Sequence, residues 1–228
     1  MRSRTAAALT TIALWPIVAC SAGRSTTQEL SYQIEESLTA LVIEARAANV
    51  AIVVGDGPVT ITEQHRYTRT KPTTSHHVQD QTLRLTESGC GKDDDVRCDI
   101  GYLITMPKAM TTDINAQAGA VRLDGLAGDV HVTTRAGAVD GHNLTSANVT
   151  IRTDAGAASL DFATAPTLVQ ATTSFGAVEV HVPDTAAYAV DVQTSVGASS
   201  ISVEQDPKST HRIQVHTEVG AVKIQPLP

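Results

Sequence analysis

Three residue types in this 228-residue chain could carry chemistry: three cysteines, eight histidines and a scatter of carboxylates. The cysteines sort by position. Cys20 closes the stretch Ile17-Val18-Ala19-Cys20, after a basic start at Arg2 and Arg4 and a mostly apolar run from Ala6 to Val18. A run of about 13 such residues is too short for a permanent bilayer-spanning helix but suits an export signal. A small residue directly before a cysteine is the lipobox arrangement, so Cys20 is the expected lipid anchor and residues 1–20 its signal peptide. An ordinary cleaved signal, with a small-x-small site nearby, is the plainer alternative. Cys90 and Cys98 remain, separated by Gly-Lys-Asp-Asp-Asp-Val-Arg. An even pair in an oxidising compartment predicts a local disulfide closing a small loop.

Metal and cofactor chemistry find little support. Two cysteines without CxxC spacing are too few ligands for zinc. Asp93-Asp94-Asp95 lacks the spaced oxygen ligands of a calcium loop and reads as a solvated tip. His76-His77 is expected in a polar loop between Thr70 and Val78, and His131, His181 and His216 are expected in different lateral rows. No Ser-His-Asp grouping or phosphate-cradling glycine loop is visible, so no catalytic, metal or cofactor residues are assigned. The charge of −7 becomes −9 once residues 1–19 and their two arginines are removed. Such an acidic chain has no electrostatic footprint for nucleic acid or an anionic membrane surface, which leaves the lipid as its membrane contact.

The elements that must position any site are unusually regular. The phrase aliphatic-x-aliphatic-x-Thr-x-x-Gly-Ala begins at Val130, Val149, Val169, Val190 and Ile213, with a weaker copy at Thr112. Its glycines are Gly119, Gly137, Gly156, Gly176, Gly197 and Gly220, each followed by alanine. Side chains alternate with a period of two on either side of the glycine, so each repeat is two short strands joined at a bend. Start-to-start spacings of 18, 19, 20, 21 and 23 residues place all growth in the connectors, which reach 11 residues at Ser202–Arg212. Phrases at one fixed offset predict an all-β, parallel β-solenoid of six regular coils. An antiparallel sandwich is the runner-up. Ala116, Thr134, Thr153, Thr173, Thr194 and Thr217 would form one inward ladder.

Upstream, residues 21–29 read as a flexible tether and 30–111 as an irregular β cap holding the disulfide loop, ahead of the solenoid at 112–228. Leu41, Ile43 and Ala45 fit the phrase if Ala48 takes the glycine position, and this register is preferred over an overlapping one nine residues later. Strands are also expected around His65–Arg69, Gln81–Thr86 and Tyr102–Met106. Pro226 and Pro228 would blunt the far edge, since proline lacks a backbone donor.

With its T-x-x-G-x-V phrases and its Val182-Pro183 and Met106-Pro107 steps ahead of Tyr188 and Thr112, the chain resembles a bacterial "putative adhesin" family of Gly-rich β-strand-repeat proteins over roughly residues 40–225. The resemblance implies an exported or membrane-attached β-solenoid and transfers no catalytic residue. The leading expectation is a non-catalytic, lipid-anchored surface scaffold for an envelope protein or glycan. A glycan-acting envelope enzyme using Asp140, Glu179 or Asp191, and a structural or sensory lipoprotein, stand as alternatives.

Overall fold

The computed structural model describes residues 25–91 and 97–227. The expected signal peptide, Cys20, Asp93–Asp95 and Pro228 lie outside these residues. Among them the chain forms strands only, in the order β1 (Thr26–Ile34), β2 (Ala40–Val54), β3 (Val59–Tyr67), β4 (Thr74–Gln79), β5 (Thr82–Glu87), β6 (Cys98–Met106), β7 (Thr111–Ala118), β8 (Val121–Asp124) and β9 (Val130–Ala136). The second half continues with β10 (Val139–Leu144), β11 (Asn148–Ala155), β12 (Ala158–Phe162), β13 (Leu168–Phe175), β14 (Val178–Val182), β15 (Ala189–Val196), β16 (Ser199–Ile201), β17 (Arg212–Val219) and β18 (Val222–Pro226).

Each coil contributes one strand before its corner to a leading sheet and one after it to a trailing sheet. β7, β9, β11 and β13 stack parallel and in register in the leading sheet, as do β8, β10, β12 and β14 in the trailing sheet. This is the parallel β-solenoid expected from the repeat. Inward positions such as Val132, Ile151, Leu160 and Val180 are fully or almost fully buried, and alternate outward positions are polar. β2 is itself one coil, pairing through Ala40–Ala47 with β7 and through Val50–Val53 with β8, with its corner at Ala48.

The corner glycines form a line because nothing larger fits between coils. A Cβ on Gly137, Gly156 or Gly176 would sit 1.9 Å from the carbonyl oxygen of Gly119, Gly137 or Gly156 respectively. Backbone crowding, more than any special dihedral, demands glycine at Gly156 and Gly176, whose φ lies outside the left-handed region. Inward threonines brace the same corners. Thr173, Thr217 and Thr194 donate to the carbonyls of Gly156, Gly176 and Gly220 at 3.2, 3.3 and 3.3 Å, whereas the buried Thr134 and Thr153 hydroxyls meet no protein partner, so the ladder does not pass bonds from one hydroxyl to the next.

At both ends, the spatial order of coils departs from chain order. The last coil in sequence, β17/β18, inserts between β13/β14 and β15/β16. The corner line therefore runs Gly176, Gly220, Gly197, with 1.9 and 2.0 Å between each would-be Cβ and the preceding carbonyl oxygen. Connector length has its reason here. The two longest connectors must step over one coil and then back, whereas the shorter ones climb a single step. On its return the chain crosses the open end, where Tyr188 N–H donates to Glu204 O and Asp206 N–H to Tyr188 O. Pro226 consequently lies inside the stack, opposite Val182, and the exposed edge belongs to β15 and β16. Its expected edge-blunting role is not what the fold uses it for.

At the other end β5 and β6 lie outside β2, although they follow it in sequence. β3 and then β1 extend the trailing sheet antiparallel, and β4 extends the leading sheet. Two expectations change. The stretch assigned to a tether already enters β1 at Thr26, and the polar loop between Thr70 and Val78 contains β4. No structural break separates the cap from the array at residue 111, since β2 and β6 continue the same sheets.

Glu87 shows how the junction is sealed. β5 ends there, so the next amides of β2 meet no strand on that side. The Glu87 carboxylate, 4% exposed, accepts Arg46 N–H at 2.8 Å and Ala47 N–H at 3.0 Å, and also Gly89 N–H. β6 then takes over the outer side of β2, pairing from Ala48 with Ile100 onward.

Candidate functional site

The residues singled out from sequence separate into scaffold and surface. Cys90 and Cys98 form the expected disulfide, with a Cα–Cα distance of 5.9 Å. Cys20 lies outside the described residues. The three carboxylates considered for glycan chemistry do not converge. Asp140 and Glu179 sit on the trailing sheet with Ser159 between them, and Asp191 projects from β15 in the leading sheet. Asp140 faces Arg122 at 3.7 Å, and Glu179 lies 3.6 Å from Lys223. Among the described residues no group of three metal-ligating side chains is poised to hold an ion.

Two polar clusters escaped the sequence reading. The first is a row five residues beyond the corner glycines, running Asp124, His142, Asp161, His181 and Gln225 across the outer trailing face. Asp161 is held between two imidazoles, with His142 Nδ1 at 2.9 Å and His181 Nδ1 at 2.5 Å. His181 Nε2 meets Gln225 Nε2 at 2.8 Å. Partial burial pushes the Asp161 carboxyl up, but hydrogen bonds from His181 and His142, with their charge, outweigh it and hold the group below its ordinary range. His181 is thus apart from His131 and His216, as expected, but shares its row with His142 through Asp161. The signal was available in the sequence as Asp and His alternating five residues after successive repeat glycines.

The second cluster is buried in the cap. Glu63 and His65, at 2% and 1% exposure, share the inward face of β3 with Val59 and Ile61. Glu63 accepts from Tyr32 Oη at 2.7 Å and Thr74 Oγ1 at 2.9 Å and meets His65 Nε2 at 2.8 Å. His76 stacks on Tyr32 with ring centroids 4.4 Å apart. Burial, and then the neighbouring Glu63 charge, push both the Tyr32 and Tyr102 hydroxyls far up, so both stay protonated at any physiological pH. The cluster ties β1, β3 and β4 together through side chains distant in sequence.

The outer faces carry the open depressions. On the leading face a polar groove of about 300 Å³ runs past Thr150, Arg152, Gln170, Gln214 and His216, with Gln170 Nε2 donating to Gln214 Oε1 at 2.8 Å. On the trailing face near the cap lies a wider trough of about 460 Å³, floored by Gly101, Ala51 and Ala120, with Leu103 in its wall. Leu103 is 50% exposed.

This geometry agrees with the comparison to known families, where a profile described as Toastrack DUF4097 matches residues 43–225. The chain belongs to the Toastrack DUF4097 family. This Toastrack protein is similar to the crystal structure of a "putative cell adhesion protein" from Clostridium sporogenes ATCC 15579, at 16% identity and a TM-score of 0.52, covering 89% of this chain and 100% of that one. It is also similar to that of a "putative adhesin" from Bacteroides fragilis NCTC 9343, at 14% identity and a TM-score of 0.49, covering 89% and 97%. At these identities the Clostridium structure shares the Toastrack fold. No curated protein matches the chain.

Proposed function

We propose that this Toastrack protein is a non-catalytic, lipid-anchored extracytoplasmic scaffold that offers its outer sheet faces to an envelope protein or glycan. The observation that carries the reading is the position of the N-terminal strand. β1 is the outermost strand of the trailing sheet at one end, and β16 is outermost at the other. A lipid on Cys20, six residues before β1, would hold the stack by that end. Ten strands at a spacing of about 4.8 Å would then carry the terminal coil roughly 40 Å from the bilayer, with both faces open to solvent. The name given to the similar Clostridium protein supports a surface role. The separation of Asp140, Glu179 and Asp191 gives no support to glycan hydrolysis, which needs two carboxyl groups flanking one bond.

Metabolic labelling with an alkynyl fatty acid, followed by fractionation, tests the anchor. The wild-type chain is expected in the membrane fraction carrying label, and Cys20→Ala should lose both. A wild-type chain found unlabelled in the cytoplasm would overturn the proposal. Cross-linking of intact cells then identifies the envelope partner.

A further inference from the structure

Gly101 lies in the middle of β6. Its backbone does not require glycine, because its φ is outside the left-handed region. Packing does not require it either. A Cβ there would find its nearest neighbour, Gln64 Cβ, at 3.6 Å, which is ordinary van der Waals contact. Every other described glycine either has φ in the left-handed region or would meet another atom within 3.0 Å. A strand-interior glycine weakens a strand and often marks a bulge or the close approach of a ligand or another backbone; the register on both sides of Gly101 is continuous, so no bulge accounts for it.

What Gly101 leaves empty is the floor of the largest depression described above. The rows on either side continue the floor with side chains almost as small. Gly101 pairs with Asn49 of β2, Ala51 pairs with Leu103, and Ala120 N–H donates to Asn49 Oδ1 at 3.1 Å. The result is a shallow apolar base with Leu103 beside it, about 460 Å³ in volume, within the range of small-ligand clefts. Its rim is polar and planar, made by the Asn49 and Gln64 amides and the guanidinium groups of Arg66 and Arg122. The positive charges are answered: Arg66 lies 2.6 Å from Asp99, Arg122 lies 3.7 Å from Asp140, and Glu29 adds a further carboxylate to the rim. A charge-balanced rim selects against a free anion.

From this combination we propose that the Gly101 trough is a binding site for a neutral saccharide unit, one or two sugar rings in extent. The C–H face of a pyranose rests on Gly101, Ala51 and Ala120 against Leu103, while its hydroxyls meet the amides and guanidiniums around it. This assignment rests on the binding-scaffold reading above and names the ligand class for one of its faces.

The test uses the purified full chain and saturation-transfer NMR with methyl β-glucoside, methyl β-galactoside, N-acetylglucosamine and their β-1,4-linked disaccharides, with octanoate as an anionic, amphiphilic comparison. At least one saccharide is expected to bind with a millimolar or tighter Kd. Gly101→Leu fills the floor and should weaken that binding at least tenfold with the melting temperature held or raised. Arg122→Ala, at a side chain 74% exposed, should weaken it at least threefold with the fold intact. No saccharide binding, octanoate binding in preference to sugar, or affinity unchanged in both variants would each overturn the assignment. Because the measurement is made in vitro, its failure leaves anchoring and partner capture untouched. A cytoplasmic location with sugar binding intact would remove the surface reading alone.

Discussion

Substituting Gly156 by alanine isolates the force that sets the coil spacing. The backbone at Gly156 is open to alanine, so the whole effect must come from contact: the new methyl would lie 1.9 Å from Gly137 O and 2.6 Å from Gly137 C. Relief requires the two coils to part at the corner by more than an ångström. That movement takes Gly137 N–H···O Ala155 (3.0 Å) and Val139 N–H···O Ala157 (2.9 Å) out of hydrogen-bonding reach. Two backbone bonds lost at this half-exposed corner, together with the strain of opening, sum to about 3–5 kcal/mol. For a chain of this size that lowers the melting temperature by roughly 6–20 °C. Circular dichroism during thermal and urea unfolding reads the change, with Gly101→Ala as the internal control, expected neutral or stabilising because its Cβ has room. A Gly156→Ala variant melting within about 2 °C of wild type would refute the claim that corner crowding dictates glycine.

Other expectations follow from the caps and the surface row. Glu87→Ala strips the acceptor from two β2 amides and should cost about 2–4 kcal/mol, measured as a shift in urea midpoint. Loss of less than about 1 kcal/mol would mean water replaces the carboxylate. The Asp161 carboxyl is held below its unfolded value, so the stability it contributes is complete above about pH 4 and disappears as pH falls through the folded pKa. Asp161→Asn should therefore be less stable than wild type at pH 5–6, and the difference should close as pH falls through the folded pKa of Asp161. A gap that stays constant across that range would show that the two imidazoles do not depend on its charge.

The fixed offset between phrase and glycine made the coils and their corners readable from residue types alone, including the Ala48 corner, because in-register stacking demands the same residue class at the same place in every turn. The exchange of the last two coils was not readable. Val190 and Ile213 begin nearly identical phrases, and either coil satisfies the hydrogen bonds of its neighbours equally well. Only the lengthened connectors hinted at a two-step climb. The row through His142, Asp161 and His181 lay just past the end of the repeated phrase, beyond the outward positions that the phrase itself defines, and Asn143 with φ of 52° bends the chain there. In the cap, Glu63 and His65 alternate with Val59 and Ile61, but nothing in the neighbouring sequence announces that a carboxylate and an imidazole would face inward. Burial became tolerable only because Tyr32 and Thr74, distant in sequence, arrive to satisfy the carboxylate.

The exchanged order has a bearing on how such a protein can evolve. At one end the outermost coil, β15/β16, is followed by a chain that returns inward to β17/β18, and at the other the outermost strand, β1, runs antiparallel to β3, so neither outer edge continues directly into an in-register parallel coil. Duplication can lengthen the rod only by splicing a unit into its interior, between β7 and β14, where every interface is interchangeable. Variation in rod length within such architectures should accordingly map to the middle of the gene, while its two ends stay fixed in number.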